Sequence, residues 1–243
     1  MKRGFRRVAF CMAGFLLASG ASTQAQNFQL GLYPLLSQPQ AEFQRNVENL
    51  GLGIGGFFFF GPGNGYASIG ADFAYILYGS EERKEPFSTT IPDVTVNVET
   101  TNNIILGHLA LRLQIPVGPV RPFVDGQIGF HYLFTQTTIK NEQLEEPIAT
   151  STNFQDIAFS YGGGAGVSIK IHERKEQLGT GGDPTEKSPK YTFIEFRIRY
   201  LAGGEANYLK EGSIRREGGK VSYDTKHSRT DLMTYQVGLT FWF

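Results

Sequence analysis

The sequence predicts an all-β fold, an eight-stranded antiparallel up-and-down transmembrane β-barrel. Three observations predict it. Eight segments alternate apolar and polar residues with the two-residue period of a strand. Most of them run 11–16 residues, where a globular strand averages about 5–6 and a tilted membrane strand needs about 9–11. The connections between them alternate between short and long, as they do in membrane barrels. The 243 residues carry 30 Gly, 20 Phe and 11 Tyr, and after the N-terminal leader no apolar run is long enough for a spanning helix.

Residues 1–25 read as a cleaved secretory signal peptide, leaving 26–243 as the barrel domain. Lys2, Arg3, Arg6 and Arg7 precede the short apolar run "VAFCMAGFLLASG", and small residues follow, with Thr23 and Ala25 at the cleavage positions. Cys11 lies too early in that run for a lipoprotein site. Its removal leaves a mature chain with no thiol, so the fold must close without disulfides. The leader also takes 4 basic residues with it, leaving 19 against 23 acidic, a net charge of −4. A weakly acidic exported chain has no basic footprint for nucleic acid, and that class is excluded.

The strands follow in order. "FQLGLYPL" is the weakest, with Phe28, Leu30 and Leu32 against Gln29, Gly31 and Tyr33. "NLGLGIGGFFFF" sets Leu50, Leu52, Ile54, Phe58 and Phe60 against Asn49, Gly51, Gly53 and Gly55. "YASIGADFAYILY" sets Ile69, Phe73, Tyr75 and Leu77 against Ser68, Gly70, Asp72 and Ala74. "NNIILGHLALRLQI" opposes Ile105, Leu109, Leu111, Leu113 and Ile115 to His108, Ala110, Arg112 and Gln114. In "RPFVDGQIGFHYLF" the two faces are Val124, Ile128, Phe130, Tyr132 and Phe134 against Asp125, Gln127, Gly129 and His131. "DIAFSYGGGAGVSIKI" divides Ile157, Phe159, Tyr161, Val167, Ile169 and Ile171 from Ser160, Gly162, Gly164, Gly166, Ser168 and Lys170. "YTFIEFRIRYL" divides Ile194, Phe196, Ile198 and Tyr200 from Glu195, Arg197 and Arg199. In the last strand Met233, Tyr235, Val237, Leu239, Phe241 and Phe243 share one face, opposite Thr234, Gln236, Gly238, Thr240 and Trp242.

The polar face decides between a membrane barrel and a soluble ligand carrier. A soluble barrel turns its apolar face inward and covers its outside with long charged side chains. Here the polar face mixes glycine with Asp72, His108, Arg112, Asp125, His131, Glu195, Arg197 and Arg199. Charges of both signs among glycines fit the narrow inside of a small barrel. These eight residues are the expected lumen charge network. Trp242 is expected in the lumen as well, as a plug at the periplasmic mouth.

Loop length sets the orientation. "GPGNG" (61–65) and "PVGPV" (116–120) read as periplasmic turns. The segments 80–101, 136–155 and 203–229, together with a first connection near 36–45, read as extracellular loops. The connection 172–190 falls on the short side yet is long and charged, and reads as a solvated loop. With this orientation Tyr75, Tyr132, Phe134, Phe159, Tyr161 and Tyr200 fall near the outer interface, and Phe28, Phe58, Phe60, Phe241 and Phe243 near the inner one. Two aromatic girdles are what the bilayer boundary selects.

The leader, the eight alternating strands and the terminal aromatic strand "YQVGLTFWF" resemble the small outer-membrane β-barrel proteins of Gram-negative bacteria, in the OmpA/OmpX-like or the PorT-like outer membrane protein beta-barrel groups. The resemblance spans roughly 27–243 and is architectural, with no short motif to single out one group. It implies an integral protein of the cell outer membrane, and a PorT-like membership would imply a part in secretion. It also implies that Tyr235, Val237, Leu239, Phe241 and Phe243 form the C-terminal signal read by barrel-assembly machinery. The expected partners are outer-membrane lipids, that machinery during biogenesis, and an extracellular ligand or host surface at the loops; a monomer is expected.

No cofactor or metal site is expected, since four scattered His and no mature Cys show no ligand spacing. The inward charges read as a buried ion-pair network in a side-chain-filled lumen, with a narrow ion-conducting pore as the alternative. A lipid A-modifying enzyme is the second alternative. Its only candidate pair, His227 and Ser228 in "KHSRTD", is adjacent on a strand and so points to opposite faces. The expectation is therefore a non-enzyme with a structural or surface-interaction role.

Overall fold

The computed structural model describes residues 26–88, 91–141, 147–174, 189–217 and 220–243. The leader 1–25 and the centre of the connection 172–190 lie outside them. The elements in chain order are β1 (Gln26–Pro39), α1 (Ala41–Asn46), β2 (Gly51–Pro62), β3 (Ala67–Ser88), β4 (Ile91–Gln114), β5 (Val120–Asn141), β6 (Pro147–Glu173), β7 (Tyr191–Gly203), β8 (Glu205–Tyr208), β9 (Ile214–Glu217), β10 (Lys220–Tyr223), β11 (Lys226–Arg229) and β12 (Leu232–Trp242). Eight of the strands close a ring in the order β1-β12-β7-β6-β5-β4-β3-β2, every pair antiparallel. Closure of β1 on β12 removes the sheet edges that an open sheet of this size would present.

The alternation in the sequence is the alternation between outside and inside. Leu52, Ile69 and Leu109 are each 64% exposed on the outer wall, while Asp72, Arg112 and Arg199 are 0% exposed within. The four-phenylalanine run of β2 splits by the same rule: Phe58 and Phe60 face out, Phe57 and Phe59 face in. At the tight-turn end, Gly65 (φ 70°) and Gly118 (φ 85°) supply the left-handed backbone that each turn requires. The girdles are in place on the outer wall. Phe28 stacks near Phe60 (5.0 Å) and Phe243 (5.6 Å) at that end, and Tyr132 near Phe134 (5.4 Å) toward the other.

The long connections depart from the loops expected of them. Residues 80–88 with 91–101, and 136–141 with 147–155, continue the barrel strands as paired extensions, so that β3, β4, β5 and β6 reach 22, 24, 22 and 27 residues. Beyond the apolar belt a strand needs no apolar outer side, so the alternation fades while Thr and Val keep their β preference. The connection 203–229 holds two small antiparallel sheets, β8 with β11 and β9 with β10. The first connection is also ordered: β1 runs on to Pro39 and α1 follows.

These pieces form a lid whose buried side chains continue the core of the barrel. Phe43 of α1 is fully buried, its ring 5.0 Å from that of Tyr208 on β8 and 5.8 Å from that of Tyr78 on β3. Leu201, Leu209 and Leu232 are buried in the same cluster or beside it. The Tyr78 hydroxyl donates to the Leu209 carbonyl (3.0 Å), and Asn46 donates to the Tyr208 hydroxyl (2.9 Å).

Candidate functional site: the lumen and its lid

Six of the eight predicted lumen residues join in one chain of ion pairs of alternating sign. Glu195 on β7 accepts two hydrogen bonds from Arg112 on β4, both 2.9 Å. Arg112 also grips Asp125 on β5 with bonds of 2.9 and 3.2 Å. Asp125 accepts from Arg197 (3.1 Å), Arg197 donates to Asp72 on β3 (2.7 Å), and Asp72 accepts from Arg199 (2.8 Å). Three guanidinium groups face three carboxylates, so the chain is neutral. All six side chains are at most 4% exposed.

Most of the remaining lone pairs and protons are taken up by the walls; Arg199 Nη2 is buried without a hydrogen-bond partner among the described residues. Glu195 accepts from Ser168 (3.2 Å) and Thr240 (3.1 Å), Asp72 from the Tyr33 hydroxyl (2.6 Å). Arg197 donates to Gln236 (2.6 Å) and Arg199 to Gln127 (3.0 Å). Such pairing is what permits charges to be buried at all, since each ion left alone costs several kcal/mol.

Aromatic rings pack around the guanidinium planes. Arg112 lies 3.9 Å from the ring centre of Phe123, 4.6 Å from Phe59 and 4.9 Å from Phe57. Arg197 lies 5.0 Å from Phe57 and 5.1 Å from Tyr33. The inward glycines make room for these rings. A Cβ on Gly31 would stand 2.2 Å from Phe57 Cζ, and one on Gly166 would stand 2.3 Å from Phe123 Cζ. These two glycines are therefore the complements of large rings on the next strand. Phe57, Phe59 and Phe123 were not among the expected lumen residues; in "FFFF" only the parity with Gly51, Gly53 and Gly55 marks the inward pair.

The two histidines are corrected out of the charge network. Both are buried in the lumen, but among the described residues they join hydrogen bonds rather than ion pairs. His108 Nε2 lies 3.1 Å and His131 Nε2 lies 2.8 Å from Ser160 Oγ, and His131 Nδ1 lies 3.3 Å from Thr230 Oγ1. Donor accounting sets the direction. Thr230 spends its proton on the Gly204 carbonyl (3.2 Å), so His131 donates to it from Nδ1. His131 Nε2 then accepts from Ser160, and Ser160 accepts from His108 Nε2. The chain ties the lumen to the lid at Gly204.

The lumen is filled at both ends. Trp242 is 5% exposed at the tight-turn mouth, its ring 5.3 Å from that of Phe193 and 4.5 Å from the Arg121 guanidinium. At the other end the lid covers the histidine chain. His227 and Ser228 point apart: Ser228 is buried against the Tyr208 hydroxyl (2.8 Å), while exposed His227 lies 3.1 Å from Asn207 Oδ1 and 3.4 Å from Glu205. Burial holds the Tyr208 phenol above its ordinary range, so it stays protonated in that contact. The last strand presents Tyr235, Val237, Leu239, Phe241 and Phe243 outward along β12, next to β1.

No protein-family model and no curated protein matches the chain. Among solved structures it is similar to Neisserial surface protein A, with a TM-score of 0.39 and 9% identity over 89% of this chain and 96% of that one. It is also similar to the translocator domain of the autotransporter NalP from Neisseria meningitidis, with a TM-score of 0.24 and 10% identity over 93% of this chain and 90% of that one.

Proposed function

We propose that the protein is a monomeric, non-catalytic integral protein of a bacterial outer membrane, with a closed lumen and a surface-interaction role carried by its long-hairpin end. One observation carries this reading: a continuous wall of exposed Leu, Ile, Val, Phe and Tyr surrounds an interior of paired charge. In water that arrangement is inverted, because 35 large hydrophobic side chains among the described residues, most of them on this wall, would face solvent; in a bilayer it is the stable one. Lipids are the partner of the wall, and the outward row of β12 is the surface offered to assembly machinery. The ion pairs lock the strands to each other across the axis, leaving the lid and hairpins as the parts free to meet a partner.

The mature protein, refolded in detergent, is expected to give β-rich circular dichroism and to migrate differently on gels before and after boiling. In planar bilayers it is expected to give no steady openings. A chain that stays monomeric in buffer without detergent would overturn the membrane reading. Steady openings that change on Glu195→Gln would overturn the closed lumen alone.

A further inference from the structure

The β9–β10 hairpin is tied to the extended part of β3. Arg83 donates to the Ile214 carbonyl (3.1 Å), and the Gly212 amide donates to Glu81 (2.9 Å). Between this hairpin and the extensions of β5 and β6 lies a pocket of about 190 Å³. One half is apolar, made by Ile139, Ala149, Ile214 and Tyr223; the other is polar, made by Arg83, Thr137, Ser151 and Asn153. Tyr223 is 46% exposed, so much of its surface is open to contact.

The polar half is set in advance of any ligand. Strand pairing passes from Thr135 opposite Phe154 to Gln136 opposite Thr152, which leaves Asn153 as the extra residue of a β-bulge. A bulge re-aims a side chain. Here the Asn153 amide nitrogen donates to the Thr137 hydroxyl, which lies 3.1 Å from that of Thr100. That bond orients the amide and leaves its oxygen with acceptor capacity, and Ser151 lines the same pocket.

We propose that this pocket binds one ring of a saccharide. A pyranose presents an apolar C–H face and a rim of hydroxyls, and the pocket presents an apolar half with an exposed tyrosine ring and a polar half of amide, hydroxyl and guanidinium. A purely apolar ligand would strip water from four polar side chains without replacing its hydrogen bonds, and a small anion would leave the apolar half empty. The volume suits a single ring, so the ligand is a terminal sugar. The proposal rests on the reading of the long-hairpin end as the interacting end, but binding to purified protein does not depend on which side of a membrane that end faces.

The test uses the mature chain refolded in a zwitterionic detergent that contains no sugar, with saturation-transfer NMR against free hexoses, N-acetylhexosamines and p-cresol as an apolar control. At least one saccharide is expected to bind in the millimolar range. Asn153→Ala and Tyr223→Ala are each expected to weaken it at least about fivefold, with His227→Ala unchanged. The gel shift on boiling checks that each variant is folded, and Ser151→Ala replaces Asn153→Ala if the bulge residue proves necessary for folding. Binding of p-cresol alone, no saturation of any saccharide, or equal binding by both pocket variants overturns the proposal. Protease accessibility of the lid on intact cells tests the orientation separately.

Discussion

Arg112 on β4 and Glu195 on β7 meet across the barrel, joined by two hydrogen bonds of 2.9 Å each. In the ring, β6 and β5 lie between their strands, so this pair spans the interior and does not merely reinforce one ladder. Arg112→Met leaves Glu195 with only the more distant Arg197, at 3.9 Å, and Asp125 with Arg197 alone. Its expected cost is about 3–5 kcal/mol, against about 1–3 kcal/mol for Glu195→Gln, which keeps the shape and some of the hydrogen bonds. Urea midpoints of the refolded proteins measure both. An unchanged midpoint for Arg112→Met would show that the network contributes nothing to holding the walls together.

Gly31 and Phe57 form a small-against-large pair on neighbouring strands. Gly31→Ala puts a methyl where the Phe57 ring lies and is expected to destabilise the barrel by about 1–3 kcal/mol. In the double variant Gly31→Ala/Phe57→Leu the two costs should be less than additive, because the smaller side chain removes the clash. Strict additivity would refute the packing argument.

Phe43→Ala empties the centre of the lid, with an expected local cost of about 3–5 kcal/mol. Limited proteolysis should then cut within 203–231 faster, while the unboiled barrel band persists on gels. If that band is lost together with the lid, the two do not open independently.

Alkali should loosen the same lid. Burial raises the Tyr208 phenol, so the closed lid holds the proton more tightly than the open one. Its contribution is complete below the ordinary phenol value of about 10 and falls as pH rises past it. Protease protection of 203–231 is expected to be flat between about pH 6 and 9, to drop above about pH 10, and to lose part of that drop in Tyr208→Phe. A profile identical in the variant would remove Tyr208 as the cause.

The barrel was legible because a bilayer and a filled lumen impose opposite chemistry on alternate residues. In β4, Leu109, Leu111 and Leu113 against His108, Ala110 and Arg112 state both faces at once. The lid was not legible for the same reason: Phe43 stands alone in a polar segment, and its partners Tyr78 and Tyr208 are 35 and 165 positions away. No local period marks a cluster assembled from three connections. The hairpin extensions failed differently, because outside the bilayer neither face of a strand has to be apolar.

By itself the sequence determined which residues face outward and which face the lumen, since strand parity admits two answers and charge selects one. It also determined which six charges share the interior. Only the tertiary structure decided who pairs with whom, because register and closure bring Arg112 to Glu195 across 83 positions and Arg197 to Asp72 across 125. The same is true of the histidines. Their place on the inward face is a matter of parity, but whether they meet a carboxylate or Ser160 is a matter of height along the barrel. That height is set by the stagger of neighbouring strands, which no single strand encodes.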